Sequence, residues 1–166
     1  MFKIIKKIIL LFSILISLNS CQEKPFLSIF DKVEHYHLSN QSMLNYETRD
    51  SLLTKIIEKD YPSNLYDNDF YQKLKLNFSI KTFTNSNVEV FKNLFNKSTF
   101  TDVYTTACIP EYRDILILKK ENEVIGIIKI CVGCKMHYFV SKNDENKIII
   151  NSGGIENEEL EELLKK

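Results

Sequence analysis

Two strongly apolar runs joined by a polar turn form the clearest pattern along the chain. Residues 115–118 (Ile-Leu-Ile-Leu) and 124–130 (Val-Ile-Gly-Ile-Ile-Lys-Ile) are almost entirely apolar, and residues 119–123 between them are polar. Strands that are apolar on both faces are typical of the middle of a sheet, where both sides are covered. The pattern therefore predicts an antiparallel hairpin at the centre of a sheet.

Shorter patterns predict the remaining elements. Alternation and apolar content predict four further strands, over residues 32–38, 74–81, 136–140 and 147–150, the last two as an antiparallel pair. Helical spacing predicts three helices: residues 50–59 with Asp50 as N-cap, a helix capped by Asn85 or Ser86 that includes Phe95, and residues 157–165. Strands and helices do not alternate regularly, so the fold class is α+β, an antiparallel sheet with about three helices packed on it.

Length and charge limit the classes of protein that fit. A chain of 166 residues is long enough for one domain with a single core, expected over residues 31–166. The first twenty residues hold three of the 22 basic residues and none of the 22 acidic ones, so the rest of the chain keeps 19 basic residues and a net charge of −3. A mildly acidic protein is a poor candidate for binding nucleic acid, because the phosphate backbone is negative.

The N-terminal segment is typical of a secretory signal peptide. Met1–Lys7 is cationic, and residues 8–18 are apolar apart from serines. This run is too short for a membrane-spanning helix, which needs about 20 residues. The following Leu18-Asn-Ser-Cys21 resembles the lipobox of bacterial lipoprotein precursors. An uncleaved anchor, or a plain secretory signal with a chance cysteine, are the alternatives.

The lipobox resemblance implies a location. In that family the signal (here residues 1–20) is cleaved and the cysteine (here Cys21) receives fatty acyl chains such as palmitate, which leaves residues 21–30 as a tether. Two or three acyl chains anchor a protein stably in a membrane. Gln22 stands where an Asp would imply inner-membrane retention, so the resemblance favours the outer membrane, facing the periplasm or the surface.

Cys108, Cys131, Cys134 and His137 are candidate site residues near the hairpin. Four interpretations are open: a redox-active Cys131–Cys134 pair, a zinc site with His137 as fourth ligand, a structural disulfide, or buried reduced thiols. An envelope location favours the disulfide. A loop of two residues (122–123) or four residues (120–123) would place Cys108 at the same end as Cys134, so that pair is expected within about 7 Å between Cα atoms.

His35 and His37 are a weaker candidate metal pair. A spacing of two residues places both imidazoles on the same face of the predicted strand at residues 32–38. The alternative is that both simply face solvent.

The cysteine hairpin also resembles a loosely defined group of bacterial envelope lipoproteins over residues 72–165. The resemblance is carried by a set of six positions: Cys108, Pro110, Arg113, Ile130, Cys131 and Cys134. In that group the Arg is often followed by His, where this chain has Asp114, and the first Cys of the C-x-x-C by an aromatic, where it has Val132. The resemblance implies an architecture and no activity.

The sequence contains no recognisable catalytic motif. We therefore expect a lipid-anchored envelope protein that is a non-enzymatic binding or structural module, with the membrane as its contact and no nucleic-acid partner. A Cys/His metal or thiol-redox domain is the alternative, with zinc as its cofactor. An inhibitor or immunity-type protein with an unidentified protein partner is a second alternative.

Overall fold

Five antiparallel strands form one sheet in a computed structural model that describes residues 29–39, 49–97, 108–134, 136–142 and 157–165. In chain order the elements are β1 (Lys32–His37), α1 (Ser51–Glu58), α2 (Asn68–Asn77), β2 (Ser79–Thr82), α3 (Asn85–Lys97), β3 (Asp114–Lys120), β4 (Glu123–Cys131), β5 (Met136–Ser141) and α4 (Asn157–Lys165). The strand order is β2-β1-β3-β4-β5, and all neighbours are antiparallel. The α+β class is confirmed, with four helices in the described part of the chain instead of about three.

Helices cover both faces of the sheet because the central strands are apolar on both sides. Leu116 and Leu118 of β3 face a core that includes buried side chains of α3 and α4. Their neighbours Ile115 and Ile117 face a second core with buried side chains of α1 and α2. Consecutive strand residues point to opposite faces. The consecutive apolar run therefore supplies both cores, as the hairpin pattern predicts.

The central hairpin differs from both predicted loops. Its turn is Glu121–Asn122, with φ angles of 51° and 71°, and Lys120 pairs with Glu123. Left-handed conformations at both turn positions are typical of two-residue hairpin turns, since their twist matches that of the strands. The register then shifts by one residue between Leu118 and Lys119, which leaves Ile125 as the extra residue of a β-bulge.

The strand predicted at residues 74–81 is wrong over most of its length. Residues 68–77 form α2, whose N-cap Asp67 accepts a hydrogen bond from the Phe70 amide at 3.0 Å. Phe70 and Leu74, one helical turn apart, are buried, while Leu76 is 80% exposed. The alternating lysines and leucines matched a strand, but the cap and the i, i+4 pair favour a helix. Only β2, a short edge strand, is extended.

The helix boundaries agree with their capping residues. Asp50 accepts a hydrogen bond from the Leu53 amide at 2.9 Å, which confirms it as the N-cap of α1. At the start of α3 the predicted cap was Asn85 or Ser86. Instead, the hydroxyl of Thr84 accepts a hydrogen bond from the Asn87 amide at 3.3 Å. The helix at residues 157–165 is confirmed.

Other predictions fall outside the described residues. These are the signal peptide over residues 1–20, the lipobox with Cys21, the side chain of Phe95 and the strand at 147–150. Phe30, placed at the end of the tether, is buried in the core, so the packed domain includes it. No helix in the described ranges is both long and apolar enough to cross a membrane.

Candidate metal and ligand site

His35, His37 and Asp114 meet where β1 lies beside β3. His37 and Asp114 are directly paired across the two strands, and His35 is two residues away on the same face. Direct and diagonal cross-strand neighbours are close enough for their side chains to touch. The prediction that both histidines share a face of a strand is confirmed, and the pairing of β1 with β3 adds the carboxylate.

The three side chains form a compact hydrogen-bonded group. His35 Nε2–H donates to Asp114 Oδ1 at 2.8 Å, and His37 Nδ1–H donates to the same oxygen at 2.7 Å. One ligand atom from each residue lies within 4.8 Å of the other two. His35 and Asp114 are buried, whereas the side chain of His37 is 48% exposed. The group therefore has a buried side and an open side.

Asp114 is held as a carboxylate. Burial acts to raise its pKa, but the hydrogen bonds from His35 and His37 lower the pKa further than burial raises it. The edge of the His35 ring packs against Phe83, with ring centroids 5.8 Å apart. The site therefore contains a carboxylate and two imidazoles that hydrogen bonds hold beside it.

These are ligand types that a divalent transition metal takes. Zinc binds imidazole nitrogen and carboxylate oxygen at about 2.0–2.2 Å, so tetrahedral ligand atoms lie about 3.3 Å apart. The observed N···O distances of 2.7 and 2.8 Å would open by about half an ångström, and the two nitrogens, which lie within 4.8 Å of each other, would move to the same separation. Each imidazole would give up its bond to Asp114 and turn a lone pair to the metal after a change of tautomer.

A cavity of about 790 Å³ adjoins the open side of this group. Among its described lining residues are His37 and Asp114 from the group itself. The rest are Cys108, Ile109, Glu111, Arg113, Cys131, Val132, Gly133, Cys134, Glu161, Leu164 and Lys165. Its volume falls within the range of about 300–1,000 Å³ that is usual for small-molecule sites.

The wall of the cavity contains the predicted disulfide. Cys108 and Cys134 are bonded, with Cα atoms 5.9 Å apart, which confirms the favoured pair. Cys131 is a free, buried thiol whose Sγ accepts a hydrogen bond from the Glu111 amide at 3.3 Å. It lies at the end of β4, and the C-x-x-C motif is divided between one free and one bonded cysteine.

The predicted zinc site built on the cysteines and His137 is not formed. Two of its three thiols are consumed by the disulfide. His137 lies on β5 opposite Ile130 and is buried, and burial lowers its pKa to about 4. A buried imidazole with such a pKa is neutral at physiological pH. The described residues that could hold a metal ion are instead His35, His37 and Asp114.

Asp114 is the site residue that the sequence analysis missed. The sequence carried one indication of this role. Asp114 is an acidic residue at the start of an apolar strand, where a buried carboxylate needs hydrogen-bonding partners. Those partners are separated from it by 79 and 77 residues in sequence. No protein-family model, curated protein or solved structure matches the chain.

Proposed function

We propose that this chain is a lipid-anchored protein of the bacterial cell envelope, facing the periplasm or cell surface from the outer membrane. Its α+β domain is a binding module, not an enzyme, that holds one divalent transition metal, zinc first, with His35, His37 and Asp114. The lipobox-like Leu18-Asn-Ser-Cys21 supports the anchor. The juxtaposition of two imidazoles and a carboxylate within 4.8 Å carries the metal proposal.

The ligand set suits zinc or another borderline metal. Imidazole nitrogen suits zinc, copper, iron and nickel, while calcium and magnesium take oxygen ligands. Three protein ligands leave at least one coordination position of zinc for water or another molecule. Because His37 and Asp114 line the cavity, that position would open toward the cavity.

The cysteine-based alternatives have less support. A thioredoxin-like pair needs two thiols that can form a bond with each other, and the first is activated at a helix N-terminus. Here Cys131 ends a strand and Cys134 is bonded to Cys108. The disulfide is better explained as a clamp that fixes residues 108–113 against the turn after β4.

Zinc titration of the purified full chain in non-ionic detergent tests the metal proposal. After treatment with a chelator and its removal, calorimetry should show one zinc ion bound per chain. Asp114→Asn and His37→Ala should each weaken binding more than about 100-fold, since each removes a direct ligand and even outer-shell changes cost 10–100-fold. Asp69→Asn, an exposed carboxylate on α2, is the matched control and should bind like wild type.

Circular dichroism of each variant separates loss of a ligand from loss of the fold. A wild-type chain that binds no more zinc than Asp114→Asn would overturn the metal proposal, because any residual binding would then come from elsewhere, such as the Cys131 thiol.

A further inference from the structure

The charges around the cavity nearly cancel without a metal. Arg113 Nη2 lies 3.7 Å from Glu111 Oε2, and Lys165 Nζ lies 3.3 Å from Glu161 Oε2. Among the described lining residues these two pairs are neutral overall, so with a neutral imidazole at His37 the carboxylate of Asp114 is the net charge. A zinc ion at the site would change the net charge of the lining from −1 to +1.

The rest of the lining is largely apolar. Ile109, Val132 and Leu164 contribute aliphatic side chains, and the Cys108–Cys134 disulfide contributes sulfur. Ile109 is 76% exposed, so its aliphatic side chain is accessible to a ligand. With a metal bound, the cavity would therefore combine one positively charged centre with an apolar wall.

We propose that the metal-loaded site binds a small monocarboxylate with a short aliphatic tail. The carboxylate takes the open coordination position of the metal, and the tail lies along Ile109, Val132 and Leu164. This inference rests on the proposed metal site. An anion neutralises the +1 centre, whereas the metal-free cavity, at −1, repels it.

Metal and carboxylate should consequently bind with positive cooperativity. If zinc raises the affinity for the carboxylate by a given factor, then the carboxylate raises the affinity for zinc by the same factor. Each methylene of the tail that leaves water should add about fourfold to the affinity. Hexanoate and acetate share the head group and differ by four methylenes, so their comparison isolates the tail.

Calorimetry with the full chain in non-ionic detergent, against a blank of detergent alone, tests this inference. Hexanoate should bind the zinc-loaded chain at least tenfold more tightly than the zinc-free chain, and at least tenfold more tightly than acetate. Hexylammonium, with the opposite charge, should show no preference for the zinc-loaded form. In the cobalt-substituted chain, hexanoate should shift the visible absorption bands, since it enters the coordination sphere.

Two isoleucine variants test where the aliphatic tail of hexanoate binds. Ile109→Asn should weaken hexanoate at least threefold and leave the affinities for acetate and zinc unchanged. Ile80→Asn, the same change at an exposed site on β2, should match wild type for all three. Wild-type hexanoate affinity in Ile109→Asn would overturn the inference. If zinc binds but hexanoate has the same affinity for the zinc-loaded and zinc-free chain, the carboxylate inference is overturned and the metal proposal stands. If zinc does not bind, both proposals are overturned.

Discussion

Lys129 on β4 is a fully buried cation that ties the loop after α1 to the sheet. Its Nζ donates hydrogen bonds to the carbonyl oxygens of Lys59 at 2.5 Å and Tyr61 at 2.9 Å. The same nitrogen lies 4.3 Å from the centroid of the Tyr112 ring. These contacts give the buried amino group hydrogen-bond acceptors that it would otherwise lack. Burial lowers the pKa of Lys129 to about 7.

This lowered pKa predicts that stability rises with pH above neutrality. Between about pH 7 and 10 the unfolded chain, with a lysine pKa near its usual 10.5, binds more protons than the folded chain. The free energy of unfolding should therefore increase across that window, by up to about 1.4 kcal/mol per pH unit. Urea unfolding from pH 7 to 9.5 should show this slope in wild type and lose it in Lys129→Met.

The upper limit of that window is set by tyrosines. Burial, with nearby charges, raises the pKa of Tyr71 to about 12, so above pH 10 its ionisation in the unfolded chain opposes the trend. Lys75→Met, at an exposed position of α2, is the control and should keep the wild-type slope. Equal slopes in wild type and Lys129→Met would show that Lys129 is not the group responsible.

At the scale of elements, the β3–β4 turn carries local strain that sequence substitution can relieve. Glu121 adopts φ 51°, a left-handed conformation that costs most residues about 1–2 kcal/mol and that Asn accepts more readily. Glu121→Asn should raise the free energy of unfolding by about 0.5–1 kcal/mol in urea titrations. The same change at Glu123, in β4, should lower it, since Asn is disfavoured in strands and the ion pair with Lys142 is lost.

The Cys108–Cys134 disulfide should contribute measurably to stability. Its sequence separation of 26 residues corresponds to about 3.5 kcal/mol in the chain-entropy model. The double variant Cys108→Ser/Cys134→Ser should lose about that much free energy of unfolding. A reducing agent should lower the stability of wild type by a similar amount and leave the double variant unaffected. A response of the double variant equal to that of wild type would assign the effect to other groups.

Elements with strong local signals could be predicted from the sequence, and others could not. The consecutive apolar residues of β3 and β4 require cover on both faces, so their central position followed from the pattern alone. The cap at Asp50 likewise determined the start of α1. At α2, however, the run Lys-Leu-Lys-Leu satisfied a strand pattern. The competing signal, Asp67 followed by Phe70 and Leu74, was as strong and decided the outcome.

For the whole molecule, the order of strands decides where the site lies. β1 pairs with β3, and the paired residues His37 and Asp114 are 77 residues apart in sequence. Local periodicity carries no information about such long-range pairing. The histidines could therefore be predicted to share a face, but not to face a carboxylate. The disulfide was predictable because its cysteines flank one hairpin. The candidate metal site depends on a long-range pairing that no local pattern encodes.

The proposed lipid anchor concerns the whole molecule, and it can be tested without reference to the fold. If Cys21 carries two or three acyl chains, each buried methylene contributes about 0.8 kcal/mol to membrane binding, and the protein stays with the membrane. Cys21→Ser should abolish incorporation of labelled palmitate and release the protein to the soluble fraction. Ser20→Ala keeps a small residue before the cysteine, so this control should be labelled and membrane-bound like wild type. Membrane association that persists in an unlabelled Cys21→Ser chain would instead identify residues 1–20 as a permanent anchor.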